Sequence, residues 1–315
     1  MISIGKIIMK TSISKENKLT LINVEEGDFV VTLCDLGAAF YGIKLNGDEM
    51  ILRVKDSSDF LLHDLYYGKT IGRVCGRLLT NPLEIRGQQY FFQDNDKGAS
   101  LHGGFDGLSA KFFSYEIEEN KDHAVVSFSY LSKDGEAGYP GNLLLKVIYT
   151  IYKNRIDLKM IAEVDKPCLL ALTNHAYFNL GESKKDDLCL KVSSSKCVEC
   201  DNKLLPIGLK DVDEKWNFKE GKLLSLTGDI DNYFLFDGEP VAVLQSPKYR
   251  MTVKTDFEGI QVYSDNFYTD VKVTSSDLTK YRSVAIEPED NPLNRKVLEP
   301  AKTYERNIEY RFEVL

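Results

Sequence analysis

A few histidines and carboxylates in this chain sit in surroundings suited to proton transfer. His175 lies in Leu172-Thr173-Asn174-His175-Ala176-Tyr177-Phe178-Asn179-Leu180, among hydroxyl, amide and aromatic side chains. Hydrogen-bonding neighbours can hold an imidazole in one tautomer, and such a histidine can donate a proton. A core histidine with satisfied nitrogens fits the same neighbours, so this segment alone leaves both readings open. Glu287 follows the apolar run Ser283-Val284-Ala285-Ile286 and precedes Pro288-Glu289-Asp290. Alternation along a strand turns Glu287 to the face opposite Ile286. If protein lines that face, the carboxylate loses water, its pKa rises and it becomes a general base. The other reading is an exposed acidic strand end, which is the expectation for Glu289 and Asp290.

His102 adjoins Gly103 and Gly104. Residues without side chains let a ligand approach closely, although a tight turn uses the same glycines. Arg77, in Gly72-Arg73-Val74-Cys75-Gly76-Arg77, and Asp231, in Asp229-Ile230-Asp231-Asn232, offer a fixed donor and a fixed acceptor for hydroxyl groups. Most such residues near turns lie at the surface. His63, among Leu61, Leu62 and Leu65, reads as a packing or hydrogen-bonding residue, and His123, after Lys121-Asp122, as a solvated turn residue. Cys197 and Cys200 form a C-x-x-C pair without a second pair or an H-x-x-H partner, a weak zinc signal. Neither a metal site nor a cofactor is expected.

The elements that must carry these residues are strands. Alternating runs rich in β-branched and aromatic residues cover Phe29 to Leu33, Val125 to Tyr130, Leu143 to Tyr152, Arg155 to Val164, Val241 to Leu244, Met251 to Lys254, Ile260 to Tyr263 and Ile308 to Val314. Lys153-Asn154 and the Glu258-Gly259 corner read as tight hairpins. No segment carries a helical stripe of three or more turns, so the fold class is all-β, with two large stacked sheets. The 315 residues contain neither a linker tract nor a fixed-period repeat, which predicts one domain over 1–315.

A composition of 43% hydrophobic and 28% charged residues supports a large core. The net charge of -8 argues against nucleic acid, which needs a basic stripe, and Lys184-Lys185 is offset by Asp186-Asp187. Met1 to Lys10 holds two short apolar clusters broken by Lys6, too interrupted for a signal-peptide core or a membrane span. The six cysteines then read as reduced thiols, and a cytoplasmic location with no membrane partner is the expectation.

Taken in order, several blocks resemble the aldose 1-epimerase (galactose mutarotase) family. They are Gly72-Arg73 with Arg77, Leu101-His102-Gly103-Gly104, Asp134-Gly135-Glu136-Ala137-Gly138-Tyr139-Pro140-Gly141-Asn142, Thr173 to Leu180, Asp231-Asn232, Gly259-Ile260-Gln261-Val262-Tyr263 and Glu287-Pro288. The ending, Leu298-Glu299-Pro300 through Tyr304 to Tyr310-Arg311-Phe312, is similar too, so the likeness runs from about Leu21 to the C-terminus.

The resemblance implies a large twisted β-sandwich of the galactose mutarotase-like supersandwich type, with an open sugar cleft. It implies that His175 protonates the ring oxygen of an aldose, that Glu287 takes the proton of the anomeric hydroxyl, and that Arg77, His102, Asp231 and Gln261 hold the sugar. The substrate would be a monosaccharide such as galactose or glucose. The chain departs from the family pattern at Cys75-Gly76, where Ala-Asn is common, at Asn232, where a histidine often follows the aspartate, and at Phe112-Phe113, where a tryptophan is frequent. A noncatalytic sugar-binding protein with the same cleft is the alternative. A glycosidase would need a second carboxylate acting with Glu287.

Overall fold

The computed structural model describes residues 9–79, 82–181 and 184–315. Most of the Met1 to Lys10 segment read above therefore lies outside the described residues. The long hairpin forms as the alternation predicts. Leu143–Tyr152 and Arg155–Val164 bury every second residue, and Tyr152 pairs with Arg155 across Lys153-Asn154. Asn154 takes the left-handed φ of 55° that an asparagine tolerates in a tight turn.

This hairpin lies within a nine-stranded antiparallel sheet. Its strands run, in spatial order, Ser114–Glu119, Ala124–Ser132, Leu143–Tyr152, Arg155–Val164, Thr303–Val314, Tyr249–Thr255, Val241–Gln245, Cys189–Val192 and Lys222–Leu223. A six-stranded sheet orders Tyr177–Phe178, Val284–Glu289, Gly259–Tyr263, Asp231–Leu235, Lys196–Cys200 and Pro206–Asp211. A third, five-stranded sheet is a meander from Lys10–Glu16 to Asp48–Glu49, so the expected pair of large sheets is joined by one more. Among the described residues the only helical segments are 3-10 turns of three residues each, and none is long and apolar enough to cross a membrane.

One apolar core joins the three sheets. Tyr149, Leu158 and Tyr310 enter it from the first, Phe178, Val262 and Ile286 from the second, and Ile22, Val31 and Ile43 from the third. Ring contacts cross the layers: Phe178 to Tyr310 at 5.6 Å, Phe40 to Tyr149 at 4.8 Å and Phe29 to Phe312 at 5.7 Å between centroids. Burial of each large apolar side chain contributes about 1.5–3 kcal/mol.

The Glu258-Gly259 corner is not a hairpin. Tyr249–Thr255 belongs to the nine-stranded sheet and Gly259–Tyr263 to the six-stranded one, so the corner carries the chain between layers. Gly259 is there for close approach: a Cβ would come within 2.4 Å of the Phe234 carbonyl and of the Tyr233 hydroxyl.

The six-stranded sheet turns Ile260, Val262, Phe234 and Ile286 into the core. Period 2 sends Tyr233, Gln261, Tyr263, Glu287 and Glu289 to the opposite face, where all five line a cavity of about 340 Å³. The rim segment before this sheet's Val284–Glu289 strand is pinned by a buried ion pair, Arg282 Nε donating to Asp265 Oδ2 at 2.9 Å, with Arg282 also bonded to the Tyr67 hydroxyl.

Candidate active site

His175 is fixed by its backbone. Its N–H donates to the Lys69 carbonyl at 2.9 Å, and its own carbonyl accepts from the Gly68 N–H at 2.9 Å. Gly68 is required there: its φ is +68°, and a Cβ would stand 1.9 Å from the Phe40 carbonyl oxygen. Asn174 donates through Nδ2 to the Gly68 carbonyl at 2.7 Å, tightening the same junction. The Thr173 hydroxyl donates to the Pro288 carbonyl at 2.8 Å, which ties the histidine segment to the strand end that carries Glu287.

Those ties bring His175 Nε2 to 3.4 Å from Glu287 Oε1, with both side chains buried. Burial lowers the imidazole pKa to about 3. It also raises the Glu287 carboxyl well above the usual range, an effect strengthened by the nearby carboxylates of Glu289 and Asp231. Burial of both groups therefore favours a neutral pair, with the proton on the carboxyl. Two aromatic faces flank the imidazole nearly parallel, Tyr177 at 4.9 Å and Tyr66 at 5.8 Å. Such faces stabilise an imidazolium when one forms.

His102 stands edge-on to His175, ring centroids 5.2 Å apart. Its Nδ1 accepts the Gly76 N–H at 3.2 Å. Burial, with the charges of Arg77 and Arg295 and of His175 whenever it is protonated, lowers its pKa well below the ordinary histidine value, so the ring is neutral and its single N–H is at Nε2. The expected clamp residues are present on the same cavity wall. Arg77 donates to Asp96 Oδ2 at 2.6 Å, which fixes its guanidinium. Asp231 accepts from Gln261 Nε2 at 2.7 Å, and Gln261 is the direct cross-strand partner of Glu287. The cavity thus gathers His175, Glu287, Arg77, His102, Asp231 and Gln261.

Other expectations are corrected. Glu289 and Asp290 are buried rather than exposed: Glu289 faces the cavity, and Asp290 bonds Arg306 and the Tyr304 hydroxyl. The apolar strand does not end at Glu287 but runs on through Glu289, so period 2 carries Glu289 to the cavity side. His63 is exposed, packed only loosely at 5.6 Å from the Phe105 ring. Tyr66 and Arg295 also line the cavity and escaped the sequence reading, because neither falls in an alternating run. Arg295 donates to the carbonyls of Cys75 at 2.7 Å and Arg77 at 2.8 Å, holding the loop that presents Arg77.

Some sequence blocks serve structure instead. Arg73 is buried and donates to the carbonyls of Pro140 and Gly141, each at 2.9 Å, so the Gly-Tyr-Pro-Gly-Asn block anchors a loop away from the cavity. The departures from the family pattern separate in the same way. Phe113 packs in the core and Phe112 lies exposed, both off the cavity lining. Asn232 donates to the Val198 carbonyl at 2.9 Å. Gly76 has a φ of +66°, a left-handed conformation that glycine and asparagine both accept. Cys197 is buried while Cys200 is exposed at the cavity rim.

The aldose 1-epimerase family model matches residues 20–311, and the chain belongs to that family. It is 28% identical to the aldose 1-epimerase of Escherichia coli (strain K12), covering 93% of this chain and 94% of that one. It is 25% identical to the galactose mutarotase of Rattus norvegicus, covering 84% of each. The crystal structure of galactose 1-epimerase from Lactobacillus acidophilus NCFM superposes with a TM-score of 0.89 at 25% identity, over 97% of this chain and 99% of that one.

Proposed function

We propose that the protein is an aldose 1-epimerase that interconverts the α and β anomers of a free aldohexose such as galactose or glucose. The observation that carries the reading is the buried His175–Glu287 pair, 3.4 Å apart, on the floor of a cavity of about 340 Å³ rich in hydrogen-bonding groups. A pyranose seated there meets Asp231 and Gln261 as acceptor and amide, and Arg77 and the Nε2–H of His102 as donors.

Ring opening needs one proton delivered and one removed. His175 gives its proton to the ring oxygen as Glu287 takes the proton of the anomeric hydroxyl, and the C1–O5 bond breaks to leave an aldehyde. Rotation about C1–C2 presents the other face, and as the ring recloses Glu287 returns its proton to the aldehyde oxygen while His175 takes its own back from the C5 hydroxyl. The ionic form of the pair, disfavoured by burial, is supported by sugar hydroxyls and by the Tyr66 and Tyr177 faces. Each positioned proton transfer contributes on the order of 10²- to 10⁴-fold in rate. We place the protein in the cytoplasm, a reading supported by its six free thiols.

Polarimetry of freshly dissolved α-galactose or α-glucose tests the function. The expected outcome is relaxation to the equilibrium rotation far faster than in buffer at the same pH. A rate equal to buffer at micromolar protein would leave a sugar-binding protein without turnover.

A further inference from the structure

The cavity holds a second buried carboxylate that ring opening does not require. Glu289 lies on the same strand and the same face as Glu287, one pleat further along, roughly 7 Å away by strand geometry. Its surroundings are built rather than incidental. The Cys75 thiol hydrogen-bonds its carboxyl, and the Tyr233 hydroxyl donates to its backbone carbonyl at 3.2 Å. Arg295 faces it from the following loop, while Asp290, the residue just past the strand, and Asp231, from the same sheet, add negative charge.

We propose that Glu289 is a positioning residue that strengthens Glu287 as a base by placing a second negative charge on the same buried wall. This rests on the anomer-interconversion reading of the site. Two carboxyls in one water-poor cavity resist ionising together, so an ionised Glu289 makes Glu287 hold a proton more tightly and take one more readily. The partners of Glu289 suit that task. The thiol and Arg295 draw its carboxyl back toward ionisation, against burial and the charges of Asp290 and Asp231, leaving its pKa at about 7. Its charge is therefore present in the neutral to mildly basic range, where a base is useful.

The test compares the parent with Glu289→Gln and Glu289→Asp. The pH dependence of kcat/KM is followed by polarimetry, and the protonation of Glu287 by ¹³C-carboxyl NMR, assigned with Glu287→Gln. The Gln variant should move the acidic limb and the Glu287 titration toward lower pH by roughly one unit, on the repulsion of carboxylates at this separation. Its plateau kcat should fall by roughly 2- to 5-fold with KM unchanged. The Asp variant keeps the charge and should keep the parent profile. A Glu287 titration unmoved in the Gln variant, or a loss confined to KM, would overturn the proposal and make Glu289 a structural or sugar-contacting group. The NMR titration decides this even if the parent shows no turnover, an outcome that would sink the functional reading alone.

Discussion

His175 Nε2 and Glu287 Oε1 stand 3.4 Å apart because the Thr173 hydroxyl holds the Pro288 carbonyl at 2.8 Å, locking two separate segments together two residues before the histidine and one after the glutamate. The acid–base distance is thus set by the fold rather than by the side chains alone. A pair built this way exchanges one proton with little rearrangement, which is what a reaction that gives and takes a proton on one hemiacetal needs.

The two cavity histidines should divide the work. His102 has its Nδ1 occupied by the Gly76 N–H and presents one donor, whereas His175 faces the carboxylate. His102→Asn should therefore raise KM or lower kcat moderately, by roughly 10-fold, while His175→Asn should lose most of kcat, on the order of 10²-fold or more. Steady-state kinetics on both variants checks this. Equal activity in the two would contradict the division.

Burial of Glu287 has a cost that depends on pH. Its folded pKa is raised above the unfolded value of about 4.5, so the folded state binds more protons there. The associated stability is fully present below about pH 4.5 and is lost as pH rises through the folded pKa. Glu287→Gln removes that loss. Its Tm should exceed the parent's by a few degrees at pH 8, with the difference shrinking toward pH 4.5. A variant that melts lower than the parent at pH 8 would show the carboxylate to be stabilised in the fold.

Much of this was legible in the sequence, for reasons that also explain the gaps. Strands such as Leu143–Tyr152 were readable because one face is core and the other is wet, so period 2 survives in the residue types. Val284–Glu289 is buried on both faces, one packed on the apolar core and one lining the cavity, so Glu289 read as an exposed acid. The Glu258-Gly259 corner misled because a glycine needed for close packing against Tyr233 looks identical to one needed for a turn. Tyr66 carries no local signal at all: its place beside His175 comes from Gly68 meeting His175 and Phe40, a contact between distant segments.

No cysteine should act as a nucleophile, redox group or metal ligand in turnover. Cys34, Cys75, Cys168 and Cys197 are buried, and among the described residues no group of three or more potential ligands stands in metal-binding geometry. Activity should persist in millimolar chelator and in reductant. A loss on chelation that zinc restores would contradict this.

The central claim is that Glu287 is the base, and Glu287→Gln tests it most directly. Glutamine keeps the shape and one acceptor oxygen but takes no proton, so the variant should fold, retain sugar binding and lose most of kcat. The catalysed reaction runs the same transfers in both directions. Polarimetry from pure α and pure β anomer should thus show both conversions slowed by the same factor, on the order of 10²-fold or more, with the final anomer ratio unchanged. A Glu287→Gln protein that interconverts the anomers at the parent rate would contradict the account.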